Sequence, residues 1–518
     1  MIKLFVASIS TLSGSERRSD GGRPFLEDHL AYWLGGLVLC AIYTNSYFRN
    51  AAVPSPKARF PEGWWGWFDQ SKYLQSAQAL AHLDFHAAMH WYPFGYALLG
   101  APFAWMGYHA YFLPDLICLL LTGGGFLAVA QALGARPLTG VLLFLLATVG
   151  TQDVRNTWVE PWNTTLACAL IWWSFALACR LVLLPPETQL AKHRLAGFTL
   201  WGALLAFIPV VRPTDALIAG GVAAFSFLTA LATRSLRLKE LACAILGAAI
   251  VLSLCGALWL RIYGAHPSDY MVMSKGLGFR LDLLWWKTYL LLITPRPWFP
   301  DGSGLLQHIH WLYFSLVGMA LLPFLGLRRA FLPLILLAGL SIFYALLFFS
   351  YVDLIPSGLW RYNNVHYFKW MFPACALLGW WALHQFFSRQ WRLVLAVGAA
   401  IFILSGIRLL PVPASTAQTP IWMVTLHEPP PSWPDLYFSD LTLRDNRAIQ
   451  HNIHDFRAMP DSQGERWITL AHPFNGVPTP YPASSKSVPE QFWGMHLTWR
   501  PDPCWLPPHP CNFKPPLP

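Results

Sequence analysis

Residues 241–262 read LACAILGAAIVLSLCGALWLRI. No charged side chain occurs from Leu241 to Leu260, and a helix of that length rises about 30 Å, the thickness of a bilayer's hydrocarbon core. Lys239 and Glu240 precede the run and Arg261 ends it, so the polarity changes sharply at both edges. Similar apolar runs lie near 30–48, 111–134, 137–151, 160–183, 195–211, 213–232, 311–327, 330–351, 367–387 and 393–410. The chain is 55% hydrophobic and 12% charged, with mean hydropathy +0.40. A soluble domain carries about 25% charged residues, so this composition cannot cover a water-facing surface. The reading is an all-α polytopic membrane protein of about eleven transmembrane helices. The formal charge of +10 suits anionic lipids or phosphate-bearing substrates. No basic cluster sits on a soluble domain, which argues against nucleic acid as a partner.

Two shorter apolar stretches, 94–106 and 281–294, read as interfacial or re-entrant helices. With the N-terminus inside, the cytoplasmic connections hold Arg17, Arg18 and Arg23, then Arg136, then Arg180, Lys192 and Arg194. Further along come Arg234, Arg237 and Lys239, then Arg328 and Arg329, then Arg389 and Arg392. Every predicted inner loop therefore carries positive charge, as retention of Lys and Arg in the cytoplasm requires. The chain divides into a cytoplasmic segment 1–29, a transmembrane domain 30–410 and an outer C-terminal region 411–518. The outer loops 49–110 and 263–310 and the turns at 152–159, Arg212 and 352–366 then share one face with that region.

Seven of the nine cysteines fall in apolar spans, where Cys acts as a small hydrophobe. Cys504 and Cys511 lie in the polar tail and form a candidate disulfide if that tail is outside. The tail is rich in Pro and Trp; 436–456 has room for one helix, and the Pro spacing beyond it predicts irregular chain. The polar run after residue 10 argues against a cleaved signal peptide.

The chemistry-bearing residues gather in the outer segments. Asp69 heads a predicted helix whose face carries Tyr73, Ala77 and Leu80, and Tyr92 follows in an aromatic stretch. An acid at that position also caps a helix and suits its dipole. Asp153, Arg155 and Glu160 cluster before the fourth span, where a carboxylate paired with Arg155 is the plain alternative. Arg212 sits between two spans with Asp215 three residues on. Arg361-Tyr362 precedes a late span, and Lys275 and Arg296 lie in loop 263–310. A guanidinium at such a place suits bidentate phosphate recognition, and an interfacial Arg anchor is the competing reading. Asp115 is a carboxylate inside the second span, either lining a cavity or pairing with a buried partner. His308 and His310 lack a third ligand and read as interfacial.

Asp69-Gln70 with Tyr73 and Ala77, then Tyr92-Pro93-Phe94-Gly95-Tyr96-Ala97-Leu98-Leu99 with Ala101-Pro102-Phe103, resembles the first outer loop of GT-C membrane glycosyltransferases. Bacterial members, such as protein mannosyltransferases and aminoarabinose transferases, commonly read Asp-[Glu/Gln]-x-x-Tyr-x-x-x-Ala and then a Tyr-Pro-Pro-Gly-Tyr-like stretch. Phe94 departs from this pattern, standing where a second Pro is common. The resemblance spans roughly 30–135, is vaguer through 410 and does not reach the tail.

It implies a GT-C-like helical bundle with outer-face juxtamembrane helices, in a bacterial inner membrane. It further implies transfer of a sugar from a polyprenyl-phosphate-linked donor to a lipid, glycan or protein acceptor at the periplasmic face. Asp69 would be the base and Glu160 the second acid. Tyr73, Tyr92, Asp153, Arg155, Arg212, Lys275, Arg296, Arg361 and Tyr362 would bind substrate. Asp69 and Glu160 together also suit a divalent cation, Mg or Mn, although the sequence has no tight metal-ligand spacing.

The competing classes are a transporter or flippase of lipid-linked sugars, which needs charge deep in several spans, and a non-catalytic subunit of a glycan assembly system. The topology is open to a direct check. A periplasm-dependent reporter fused after Val412 should be active, and activity of a cytoplasmic reporter there would invert the orientation.

Overall fold

The computed structural model describes residues 24–50, 53, 68–184, 191–235, 237–277, 279, 281, 284, 288–294, 303–324, 329–351, 354, 358–361, 364–387 and 390–409. In the C-terminal segment it describes the backbone of seven strands. The chain forms two compact units. The first comprises Met1–Lys275, Phe314–Tyr344 and Val365–Val397, and the second Gly276–Tyr313, Ala345–Asn364 and Gly398–Pro518.

In the first unit, α1 (Pro24–Arg49) is followed by the helix α2 (Phe68–Ala81), the short α3 (Gly95–Gly100), α4 (Phe112–Ala132) and α5 (Pro137–Val149). Next come α6 (Gln152–Val159), α7 (Asn163–Ala178), α8 (Ala191–Val211), α9 (Ala216–Ala232), α10 (Leu238–Tyr263) and α11 (Asp269–Leu277). Later helices are α12 (Leu312–Leu321), α13 (Leu332–Ser350), α14 (Met371–Phe386) and α15 (Trp391–Leu409); α12, α13 and α15 each cross a boundary between the units.

Helices occupy all eleven expected spans, but among the described residues only six are long and apolar enough to cross a membrane. These are Phe112–Ala132, Asn163–Leu183, His193–Val211, Pro213–Ala232, Leu238–Tyr263 and Leu332–Ser350. A seventh arises if α5 and α6, bent by 84°, are counted as one broken span. The shortfall has physical causes. The 13 residues of α5 rise about 20 Å, less than a bilayer core. Likewise α14 has 16 residues and α12 has 10, and α1 turns polar at Thr44-Asn45-Ser46. The stretch 94–106 is broken into α3 and a 3₁₀ helix, Ala101–His109, kinked at Gly107, so it makes no crossing.

Burial grades the helices. α7 has almost no polar side and is buried on every face, which marks the centre of the unit. By contrast only 6% of the apolar window of α10 is buried. α10 packs along α8 by a narrow stripe: a side chain at Gly202 would collide with the Ala244 carbonyl, and one at Gly247 with the Thr199 carbonyl. Lipid tails are as apolar as Leu, so close backbone approach at small residues is what holds such a helix pair together.

The second unit carries the C-terminal strands: β1 (Trp422–Leu426), β2 (Leu441–Arg444), β3 (Gln450–Ile453), β4 (Phe456–Pro460), β5 (Arg466–Leu470), β6 (Gln491–Phe492) and β7 (Met495–Pro501). Antiparallel pairing gives the order β4-β5-β1-β7-β6, and β2 pairs with β3 separately. The helix expected over 436–456 is thus replaced by a strand pair. Leu441-Thr442-Leu443 alternates apolar and polar, the period of a strand, and Asp445-Asn446 between the strands has turn chemistry. Cys504 and Cys511 lie outside the described residues.

Gly247→Leu should push α10 off α8 and cost about 1–3 kcal/mol, read as a lower melting temperature in detergent. Gly256→Leu on the same helix, where an added Cβ meets nothing within 4 Å, should leave the melt unchanged.

Candidate functional site

Asp69 lies in the first turn of α2, where a carboxylate suits the helix dipole, and it is half-buried. The Tyr92 hydroxyl donates to its Oδ1. Tyr73, Ala77 and Leu80 form the buried face of the same helix. The Tyr92 ring packs against Tyr73 and Tyr270, with centroids 4.7 Å away in each case. Two further bonds pin this loop: the Tyr263 hydroxyl to the Tyr92 carbonyl at 2.8 Å and the Tyr270 N–H to the Trp91 carbonyl at 3.3 Å. Burial, reinforced by the Asp69 charge, pushes the phenols of Tyr73 and Tyr92 well above their ordinary range. Both stay protonated, so Tyr92 acts as a fixed donor to the carboxylate.

One layer deeper, the Tyr96 hydroxyl reaches both Oδ1 and Oδ2 of Asp115 at 2.9 Å, and Asp115 is wholly buried. Tyr96 stacks on Tyr111 at 4.5 Å, and the Tyr111 hydroxyl donates to the Tyr73 carbonyl at 3.2 Å. Two tyrosines of the Tyr92–Tyr96 stretch therefore serve two carboxylates, Asp69 and Asp115. Gly95 between them sits against α8: an added Cβ would lie 2.6 Å from the Val210 carbonyl oxygen. Only glycine lets this loop touch the end of α8, immediately before Arg212.

Arg212 is buried, its Nη1 3.1 Å from Asp215 Oδ1 and bonded to the Tyr344 hydroxyl, with the Tyr367 ring 4.9 Å from the guanidinium. Tyr344 in turn donates to Asp215 at 2.8 Å. The expected Arg212–Asp215 pair is thus present, extended by Tyr344 and Tyr367. Glu160 is also buried, accepting from Asn50 Nδ2 at 3.2 Å and Trp162 Nε1 at 3.4 Å. Gln70, next to Asp69, donates to the carbonyl of Pro161, next to Glu160, at 3.2 Å. That bond joins the two segments carrying the expected acids.

Lys369 was not among the residues singled out from the sequence. It is buried, donating from Nζ to the Thr157 carbonyl at 2.6 Å and to Thr165 Oγ1 at 2.7 Å, and lies 4.9 Å from the Trp158 ring. The signal was available, because Lys369 is the sole Asp, Glu, Lys or Arg between Val365 and Phe387. A lone charge in an apolar run marks either a functional residue or a buried pair. Beside it, His366 stacks on Trp162 at 3.7 Å and approaches Thr164 Oγ1 at 3.3 Å. Burial, with Arg212 and Lys369 nearby, holds the imidazole well below its ordinary pKa, so His366 is neutral.

The remaining expected residues are placed less centrally. Asp153 and Arg155 lie on α6, half-buried, with Arg155 Nη1 3.5 Å from the Val149 carbonyl. Lys275 is exposed on the last turn of α11. Arg361 ends the helix Gly358–Arg361 in the second unit, where its side chain lies outside the described residues, as do Arg296 and Tyr362. His308 stacks on Trp360 at 3.9 Å within that unit. Among the described residues no group of three or more His, Cys, Asp or Glu converges as a metal site. No protein-family model and no curated protein matches this chain. The likeness to GT-C enzymes therefore rests on the residues around Asp69 and Tyr92.

Burial separates the two tyrosine–carboxylate bonds energetically. Tyr96→Phe strips a donor from a wholly buried carboxylate and should cost about 1–3 kcal/mol. Tyr92→Phe leaves water access to half-buried Asp69 and should cost less, a ranking that paired thermal melts would reveal.

Proposed function

We propose that this chain is a membrane glycosyltransferase that takes a sugar from a polyprenyl-phosphate-linked donor and passes it to a hydroxyl-bearing acceptor at the membrane surface. The observation that carries the reading is Asp69: a half-buried carboxylate at the head of α2, oriented by Tyr92, in a wall of aromatic rings. The GT-C-like sequence around it supports the same reading, with a GT-C-like helical bundle, an outer active face and a periplasmic tail as its structural form.

The chemistry follows from the groups present. Asp69 accepts the proton of the acceptor hydroxyl as its oxygen attacks the anomeric carbon. The bond from that carbon to the lipid phosphate breaks, and its electron pair leaves on the phosphate oxygen. Developing negative charge there calls for cations in a region of low dielectric. Arg212 is the described candidate, held rigid by Asp215 and Tyr344. Glu160, tied to the Asp69 helix through Gln70, orients the base or helps hold a divalent cation.

One observation favours a second reading. Asp115, Asp215, Arg212, Glu160 and Lys369 are all buried in the first unit, and buried charge among apolar helices also lines transport paths. A lipid-linked-sugar transporter is therefore the alternative.

The deciding measurement is transfer from a lipid-phosphate-linked sugar by the purified, reconstituted chain. Asp69→Asn should lower turnover about 10²–10⁴-fold while leaving donor binding and the thermal melt near wild type. Full transfer by Asp69→Asn would remove the base assignment. Donor movement across vesicles with no sugar transfer would favour the transporter.

A further inference from the structure

A cavity of about 610 Å³ lies apart from the tyrosine–carboxylate cluster, walled by α8, α9 and α10. Its lining is apolar almost throughout, with Phe198 and Leu205 from α8, Ala224 and Phe227 from α9, and Ile245 and Leu252 from α10. It follows α8 from Arg194 to Ala206 and α10 from Glu240 to Leu252, about 18 Å along the helix axes. The space exists because α10 touches α8 through Gly202 and Gly247, while α9 carries small residues, Gly220, Ala223 and Ala224, on the facing side. A sugar or nucleotide placed here would strand its hydroxyls, unbonded, against hydrocarbon, which is strongly unfavourable. A linear hydrocarbon chain fits both the shape and the lining.

One end of the cavity is charged. Arg194 bonds Glu240 through Nε at 2.6 Å and Nη2 at 3.3 Å, and Nη2 also reaches the Leu181 carbonyl at 2.9 Å. Arg194, Glu240 and Ser235 all line the cavity at this end. Arg237 stands 3.7 Å from the same carboxylate with an exposed side chain, and Arg234 and Lys239 are exposed beside it. Two cations, Arg194 and Arg237, thus approach a single carboxylate, and Arg234 and Lys239 are exposed within six residues of it in the chain, which leaves an excess of positive charge at this end of the apolar groove.

We propose that this groove holds one acyl chain of an anionic phospholipid, with the phosphate at the Arg194, Arg234 and Arg237 mouth. The charge at the mouth is complementary to a phosphodiester and selects against a neutral or zwitterionic headgroup. The site is independent of the glycosyltransferase reading, since it shares no side chain with Asp69, Glu160 or Arg212. The lipid fills the gap that α10, packed by one narrow stripe, leaves open beside α8.

The test uses the full chain reconstituted in nanodiscs of equimolar phosphatidylglycerol and phosphatidylcholine, then detergent-stripped and weighed by native mass spectrometry. Wild type should retain one phosphatidylglycerol about tenfold over phosphatidylcholine. An added Cβ at Gly220 meets nothing within 4 Å, so Gly220→Phe should fill the groove and abolish retention with an unchanged melt. Ala223→Leu is a second filling variant if the first fails to fold. The double change Arg234→Gln and Arg237→Gln should keep a bound lipid and lose the headgroup preference. Equal retention of the two lipids by wild type, or retention unchanged in a folded filling variant, would overturn the proposal. So would displacement of phosphatidylglycerol by an equal amount of added polyprenyl phosphate.

Discussion

A charge inside an apolar bundle has to be paired or hydrogen-bonded, and the interior of the first unit is arranged around that demand. Asp115 is met by Tyr96, Arg212 by Asp215 and Tyr344, Glu160 by Asn50 and Trp162, and Lys369 by Thr157 and Thr165. Each partner comes from a segment distant in sequence, apart from the short Arg212–Asp215 and Glu160–Trp162 contacts. The polar groups therefore act as clamps that fix which helices meet. Replacing any one member leaves a desolvated group behind, which is why these contacts matter more for specificity of packing than the apolar contacts around them.

Asp69 stands at the edge of this arrangement. It shares the tyrosine scaffold, since Tyr73, Tyr92, Tyr96 and Tyr111 form one continuous set of ring contacts and hydrogen bonds from Asp69 to Asp115. Yet it is half-buried where Asp115 is wholly buried. A carboxylate with a fixed donor on one oxygen and partial access to solvent can exchange protons with an arriving hydroxyl. A sealed one such as Asp115 is placed to hold structure. The same residue type, at the two ends of one tyrosine cluster, is given two different capacities by burial alone.

Much of this was legible in the chain. Apolar runs located the helices, because a bilayer core demands about 20 residues without charge. The aromatic stretch around Tyr92 and the acid at Asp69 stood out for the opposite reason, as polar chemistry beside greasy spans. The number of true crossings was less legible, since α5, α12 and α14 are shorter than the apolar runs that contain them. Hydropathy counts residues, whereas a helix ends wherever local backbone geometry breaks it, as at the 84° bend between α5 and α6. The tail differs for a related reason: 436–456 has room for a helix and the Pro spacing beyond it predicts irregular chain, but short segments such as Leu441–Arg444 and Arg466–Leu470 pair as strands.

The sequence by itself determined that this is a helical membrane protein and that its acids and arginines sit at the ends of apolar spans, because composition and periodicity are local properties. It also carried the Asp69 and Tyr92–Tyr96 pattern that gives the functional reading. Only the tertiary structure decided that Tyr92 serves Asp69 while Tyr96 serves Asp115, that Gln70 ties Asp69 to Glu160, and that Lys369 belongs to the buried core. Those are pairings between residues as far as 212 positions apart. Nothing local sets them; they follow from which helices can approach once each buried charge must find a partner.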